Sequence, residues 1–281
     1  KIFATLHSSP FSAGCVFYIL LLHVYEAKIA GSLNYIVRGD IRFEHVSFSY
    51  DGKRDVLKEI SFEVKNGQTI AFVGHTGSGK SSIINLFMRF YEFDRGQILI
   101  DGQDIKDYSQ EALRKSIGLV LQEPFLYHGT IASNIRMYHE ELTDEEIRQA
   151  AAFVDVADFI ESLPGGYDHP VTERGSTLST GQRQLLAFAR TIAAQPKILI
   201  LDEATANIDQ ETEEMIQNSL KKMRQGRTTI AIAHRLSTIQ DADCIYVLDK
   251  GKIIESGNHD QLIALGGTYK KMYDLQAGMM K

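Results

Sequence analysis

QTIAFVGHTGSGKSSIINLFMRF, residues 68–90, runs from one apolar segment to another through a glycine-rich turn. Thr69 to Val73 reads as a strand buried on both faces. Gly74-His75-Thr76-Gly77-Ser78-Gly79-Lys80-Ser81 then fits the spacing G-x-x-x-x-G-K-[ST], and a helix follows with Ile83, Phe87 and Phe90 predicted on one face. Glycines let backbone N–H groups curl around a phosphate, and the helix N-terminus adds its positive end. Lys80 is spaced to reach β- and γ-phosphates, and the Ser81 hydroxyl to take a place on Mg²⁺. A glycine-rich turn without ligand is the plainer alternative, but strand, loop and helix in this order predict a nucleotide site with its phosphates on Gly74–Ser82.

Three later stretches belong with that loop. In PKILILDEAT (196–205), Ile198 to Leu201 form a second fully apolar strand ending in Asp202-Glu203. Ligands of parallel sheets bind beyond the carboxyl ends of strands, so Asp202 is a candidate for Mg²⁺, through water, and Glu203 for polarising an attacking water. Surface charge at a strand end is the alternative. In TTIAIAHRLSTI (228–239), the strand Thr229 to Ala233 ends in His234, either a structural histidine or a contact to a γ-phosphate. In GSTLSTGQRQLLAFAR (175–190), Ser179 is placed to cap a helix with Gln182 completing the box, and Leu185, Leu186, Phe188 and Ala189 supply its apolar stripe. The glycine beside that cap, Gly181, leaves backbone open to a close neighbour.

Composition narrows the class. The 281 residues suffice for one large domain or two small ones, and a net charge of −6 excludes a general nucleic-acid-coating surface. Cys15 and Cys244 lie far apart, without metal-ligand spacing and without a disulfide framework. DIRFEHVSFSY (40–50) alternates as a strand with Ile41, Phe43, Val46 and Phe48 apolar, and VLKEISFEVKNGQ (56–68) gives another closed by a turn at Asn66-Gly67. Strands alternating with helices thereafter predict α/β layers on a largely parallel sheet. Gly257 to Lys281 reads as a helical end with Leu262, Ile263, Tyr269, Met272 and Tyr273 on its apolar side.

The front end differs. Ala13 to Tyr25 is apolar except for His23, shorter than the roughly 20 residues that a spanning helix needs. A signal-like core, the tail of a membrane helix and an unusual linker all fit, and the start at Lys1 rather than Met points to a piece of a longer protein. Residues 1–38 are therefore expected to be a linker or the end of a membrane region, and residues 39–281 the nucleotide-binding unit.

Taken together, the phosphate loop, the Asp202-Glu203 strand end, His234 and the helix start Leu178-Ser179-Thr180-Gly181-Gln182 resemble the nucleotide-binding domain of an ATP-binding cassette (ABC) transporter, from about Gly39 to near the C-terminus. The resemblance implies a P-loop NTPase of the ABC-ATPase fold: a RecA-like core, an antiparallel β subdomain, and a helical signature subdomain at roughly 123–190. It implies ATP and Mg²⁺ as ligands, Tyr50 stacked on adenine, Gln122 and Asp202 with Ser81 at the metal, and Lys80, Glu203 and His234 as the catalytic set. It implies that two such domains pack head to tail, with Ser179, Gly181 and Gln182 of each gripping ATP held by the other. Pro124-Phe125-Leu126, Gly129-Thr130-Ile131 and Asn134-Ile135 resemble exporters more than importers. Thr172-Glu173-Arg174-Gly175 resembles the exporter segment that meets membrane coupling helices, Ala206-Asn207-Ile208-Asp209 a loop that crosses to the partner domain, and Lys1-Ile2-Phe3 the end of an exporter's last membrane helix. A transmembrane exporter domain is thus the expected second partner, at the cytoplasmic face of a cell membrane, a bacterial inner membrane.

One position departs from the family pattern. The usual signature has glycine where this chain has Thr180, a β-branched residue where space is needed. Everything serving the chain's own ATP is kept, while the element serving a partner's ATP is altered. The expectation is a heterodimeric exporter with unequal sites, a homodimer being the alternative. An importer, a soluble ABC ATPase and an ATP-gated module without turnover are the rival classes. The first is disfavoured by the exporter-like loop, the second by a single cassette without a coiled-coil insertion, and the third by Glu203 and His234.

Overall fold

The computed structural model describes residues 38–202, 210–233 and 235–278. Strands β1 (Ile41–Phe48), β2 (Leu57–Val64) and β3 (Thr69–Val73) come first, followed by α1 (Lys80–Phe87), β4 (Arg95–Ile100), β5 (Gln103–Asp104), α2 (Gln110–Ser116) and β6 (Ile117–Val120). A mainly helical stretch contains β7 (Gly129–Thr130), α3 (Ile131–Arg136), α4 (Asp144–Phe153), α5 (Ala157–Ser162), β8 (Pro170–Val171) and α6 (Thr180–Ala193). The chain returns through β9 (Ile198–Asp202), α7 (Gln210–Arg224), β10 (Thr228–Ile232), β11 (Cys244–Asp249), β12 (Lys252–Gly257), α8 (His259–Leu265) and α9 (Thr268–Gln276).

The central sheet has the order β12-β11-β3-β10-β9-β6, parallel from β11 to β6, with β12 antiparallel at one edge. Its central strands β3, β9 and β10 are buried almost throughout because both faces are covered, while the edge strand β12 alternates between exposed and half-buried residues. Alternate residues serve different cores: Ile70 and Phe72 of β3, with Ile198 and Ile200 of β9, pack under the antiparallel sheet. Ala71, Val73, Leu199 and Leu201 pack on the other side, with Leu185, Leu186, Phe188 and Ala189 of α6. The α/β expectation thus holds.

The antiparallel sheet has the order β2-β1-β4-β5. The alternation expected along β1 is interrupted: Ile41 and Phe43 are buried, the register then shifts, and Val46, Ser47 and Phe48 are all buried. His45 makes the break with φ 49°, and a bulge of this kind returns Val46 to the core side. Phe43 stacks on Phe62 at 4.3 Å between ring centres, and Phe87 of α1 lies 6.1 Å from Phe43, which ties this sheet to the phosphate-loop helix.

Two expectations are corrected. Phe90 is not on the face of α1: the helix ends at Phe87, Arg89 takes φ 48°, and Phe90 lies beyond. Ile83, Ile84, Leu86 and Phe87 are all buried, so α1 is apolar around most of its girth rather than along one stripe. The helical end expected at the C-terminus is built as two helices, parted at Gly266 with φ 68°. Its apolar side is nonetheless the one expected, with Leu262 and Tyr269 buried and Ile263, Met272 and Tyr273 packed against them. Among the described residues, no helix is long and apolar enough to cross a membrane.

Candidate nucleotide site

Register brings the site together. Ile232 of β10 pairs with Phe72 of β3 on one side and Asp202 of β9 on the other, while Leu201 pairs with Val120 of β6. The carboxyl ends of four adjacent parallel strands are therefore level. The phosphate loop after β3, Asp202 at the end of β9 and Gln122 just past β6 collect at one sheet edge, where such folds bind ligands. Glu203, His234 and Ala206–Asp209 lie outside the described residues, as do Cys15 and the segment 1–37.

The loop's shape depends on two glycines. At Gly74, φ is 149° and an added Cβ would sit 2.3 Å from the Leu248 carbonyl oxygen. Gly79, with φ 113°, would place one 2.8 Å from Leu57 Cδ2. Gly79 is also the N-cap of α1 and offers no side-chain cap; Ser82 N–H donates to its carbonyl at 3.1 Å, and the positive end of such a helix suits an anion. Lys80 is buried, and its ammonium donates to the carbonyl oxygens of Gly74 (2.7 Å) and His75 (3.2 Å). The Ser78 hydroxyl is buried and finds no hydrogen-bond partner among the described residues. A buried donor left without such a partner in the phosphate loop suits an anionic ligand. His75, Thr76, Gly77 and Ser81 are exposed around that mouth, while Ser82 is buried behind it.

Asp202 is half-buried and Gln122 exposed. With the Ser81 hydroxyl they offer oxygen donors, the kind that a hard divalent cation such as Mg²⁺ takes. Tyr50 stands beyond β1, 47% exposed, with its hydroxyl 3.0 Å from Ser82 Oγ and accepting a 3.0 Å bond from Asn85 Nδ2. Asn85 was not anticipated from sequence; its signal is a single amide inside the apolar run SSIINLF. Next to Tyr50, Asp51 closes a turn by accepting from the N–H groups of Lys53 (2.9 Å) and Arg54 (3.2 Å) and from the Ser49 hydroxyl (2.9 Å). Those backbone bonds, chiefly, hold its carboxyl below the usual carboxylate range.

The capping box at α6 is as expected. Gln182 N–H donates to Ser179 Oγ at 3.2 Å, and Ser179 N–H donates to Gln182 Oε1 at 2.9 Å. The cap uses Ser179 Oγ as an acceptor, so its O–H is still a donor toward a neighbouring molecule. Ser179 and Thr180 are exposed and Gly181 is buried in the first turn. Thr180 Oγ1 accepts from Arg183 Nη2 at 3.1 Å, and Arg183 Nη1 donates to the Leu178 carbonyl at 2.5 Å. The departing residue is thus tied to the helix's own surface.

Two segments far apart in sequence meet beside this helix. Gly129 pairs with Val171 and Thr130 with Pro170 in the β7–β8 ribbon, and Arg174 N–H donates to the Leu126 carbonyl at 3.1 Å. The loop after Gln122 and the stretch Thr172–Gly175 therefore lie side by side.

Comparison with known proteins agrees with this geometry. The sequence profile of the family described as "ABC transporter" matches residues 57–206. A protein of Streptococcus pneumoniae named as the ABC transporter ATP-binding protein exp8 is 69% identical over 99% of this chain and 48% of its own length. YheH of Bacillus subtilis, named as a multidrug resistance ABC transporter ATP-binding/permease protein, is 51% identical over 98% of this chain and 41% of its own. A solved structure, that of a bacterial Atm1-family ABC exporter with ATP bound, superposes with a TM-score of 0.83 at 42% identity, covering 94% of this chain and 46% of that one. The chain spans about half the length of the curated relatives it matches. With its phosphate loop, level strand ends and capped signature helix, the chain belongs to the ABC transporter family and carries that family's ATPase domain.

Proposed function

We propose that the chain binds Mg·ATP at the sheet edge and hydrolyses it as one half of a head-to-tail pair, driving a membrane-embedded exporter from the cytoplasmic face. The observation that carries this reading is the level register of β3, β10, β9 and β6, which gathers the phosphate loop, Asp202 and Gln122. Gly74–Ser82 would hold the phosphates, and Tyr50 would stack on the base. Ser81, Gln122 and Asp202 would hold Mg²⁺, which when bound neutralises charge on the β- and γ-phosphates. Lys80 supplies a fixed positive charge at the loop mouth, Glu203 accepts a proton from the attacking water, and His234 orients that water. Across the pair, the Ser179 hydroxyl and the N–H groups of the α6 start, with Gly181 and Gln182, would grip the γ-phosphate held by the second domain.

Export is supported by the relatives, which include, besides the proteins above, an ATP-dependent lipid A-core flippase of Shewanella oneidensis, 49% identical over 86% of this chain. The pairing of the Gln122 loop with Thr172–Gly175 gives a composite surface suited to coupling helices of a membrane domain. Thr180 favours a heterodimer in which the site built on this chain's Glu203 turns over while the site closed by its Thr180 mostly holds ATP. ATPase activity of the purified chain against its own concentration, with Glu203→Gln as control, tests this. Activity that stays negligible while ATP still binds supports a required partner with an intact signature. Specific activity that rises with concentration and vanishes in the control supports a working homodimer. Turnover undiminished by Glu203→Gln overturns the catalytic role.

A further inference from the structure

We propose that Asn85 and Tyr91 are positioning residues that fix the ring of Tyr50 as a platform for the purine base, ahead of nucleotide binding; this rests on the nucleotide site proposed above. Tyr50 sits in a loop just past β1, an interior strand of the antiparallel sheet, where a lone aromatic would ordinarily sample several rotamers. Here both of its ends are held. The hydroxyl is fastened to α1 through Ser82 Oγ and Asn85 Nδ2, each at 3.0 Å. The ring meets Phe48 at 4.7 Å and 80° and Tyr91 at 4.8 Å and 85°, both edge-to-face.

Asn85 is the unusual member of this group. It is 9% exposed, lies between the buried Ile84 and Leu86, and is a weak helix former in the interior of α1. Burying an amide costs free energy unless it is hydrogen-bonded, so packing alone does not account for it. Ser82 and Asn85 are three residues apart and share one helix face, which makes their two polar groups a matched pair for a single hydroxyl. Ser82 also ends the phosphate loop, so the same bonds join the base platform to the phosphate seat. Tyr91 is itself 41% exposed; its ring lies 6.0 Å from the buried Phe48 and so links the core to the exposed ring of Tyr50. A base stacks on an aromatic face whatever its hydrogen-bonding pattern, and a ring ordered in advance loses less freedom on binding.

The test is calorimetric titration of the chain with Mg·ATP and, separately, with Mg·tripolyphosphate, which has the phosphates and no base. Asn85→Ala, Tyr91→Leu, Tyr50→Phe and the pair Asn85→Ala/Tyr50→Phe are compared with the unsubstituted chain. Tyr50→Phe keeps the ring and removes only the hydroxyl, so it is informative even where loss of the buried amide loosens α1. The expected result is a rise in the Kd for ATP of about threefold to tenfold in each single variant, with tripolyphosphate unchanged. The pair should be no worse than Tyr50→Phe alone, since loss of the hydroxyl already cuts its bond to Asn85 along with that to Ser82. Unchanged or tighter ATP binding in the Asn85 and Tyr50 variants overturns the proposal, as does parallel weakening of both ligands. An unsubstituted chain that binds neither ligand overturns the nucleotide site itself, and this inference with it.

Discussion

Arg190 holds Asn134 by two atoms at once. Its Nε donates to the Asn134 carbonyl at 2.7 Å and its Nη2 to the side-chain oxygen at 3.1 Å, while Nη1 donates to the Phe125 carbonyl at 2.9 Å. Asn134 is 2% exposed and grips the preceding loop in turn: its Nδ2 donates to the carbonyls of Tyr127 (2.8 Å) and Thr130 (3.0 Å), and its Oδ1 accepts from Tyr127 N–H (2.8 Å). The C-terminal half of the signature helix is thereby bolted to the segment 125–134 that the exporter reading directs toward the membrane.

Asn134→Ala removes all four side-chain bonds, three of them to the half-buried backbone of Tyr127 and Thr130. A loss of about 3 kcal/mol in urea unfolding is expected, because each lost bond costs about 0.5–1.5 kcal/mol. Arg190→Lys keeps the charge but replaces a planar fork with a point donor, and should cost about half as much. Amide exchange read at Tyr127 should accelerate in both variants before any change at β9. Exchange confined to global unfolding would show that the segment is held by its apolar contacts instead.

Glycines at the phosphate loop should differ in their tolerance. Gly74→Ala meets a backbone oxygen at 2.3 Å, whereas a Cβ at Gly77, with φ 79°, meets nothing within 4 Å. Gly77→Ala should therefore cost about 1–2 kcal/mol for its left-handed backbone. Gly74→Ala should cost at least about 2 kcal/mol more, since β11 must shift away. Thermal unfolding of the two variants in parallel checks the ordering; equal losses would mean that the loop relaxes freely past Leu248.

The buried strands, the phosphate loop and the Ser179–Gln182 box were legible in sequence because each depends on neighbours a few residues away. Unbroken apolar runs marked β3, β9 and β10, and fixed spacing marked the loop. What escaped depends on partners distant in the chain. The bulge at His45 hides inside a plausible alternation, since a left-handed residue need not be a glycine. The end of α1 at Phe87 is set by the turn at Arg89, whose guanidinium is buried on the carbonyls of Ile105 and Tyr108, 16 and 19 residues away. Asn85 reads as an ordinary polar interruption until Tyr50, 35 residues earlier, is seen above it. Asn134 and Arg190 likewise acquire a role only when they meet.

Thr180→Gly tests the inequality of the two proposed sites without disturbing the chain's own nucleotide machinery. Thr180 is exposed and its one side-chain bond goes to Arg183, which keeps its bond to the Leu178 carbonyl. The stability cost should stay below about 1 kcal/mol, the penalty of glycine in a helix. ATPase activity of the chain alone should rise severalfold, and the rise should depend on protein concentration. Turnover that does not change would remove Thr180 as the cause of the asymmetry.

Asp51 gives a prediction in pH. Its carboxyl is held below the ordinary range chiefly by the Lys53 and Arg54 N–H groups, so the folded state favours the ionised form. A depressed folded value contributes stability that is complete above the unfolded value of about 4 and is lost as pH falls through the folded one. The turn beside Tyr50 should hold its shape from pH 8 down to pH 5, with constant protection factors for the Lys53 and Arg54 amides. Asp51→Ala should abolish that protection at every pH, while Asp51→Asn, which still offers an acceptor oxygen, should retain most of it. A loss of protection between pH 7 and pH 5 in the unsubstituted chain would mean that some other group, not this carboxylate, closes the turn.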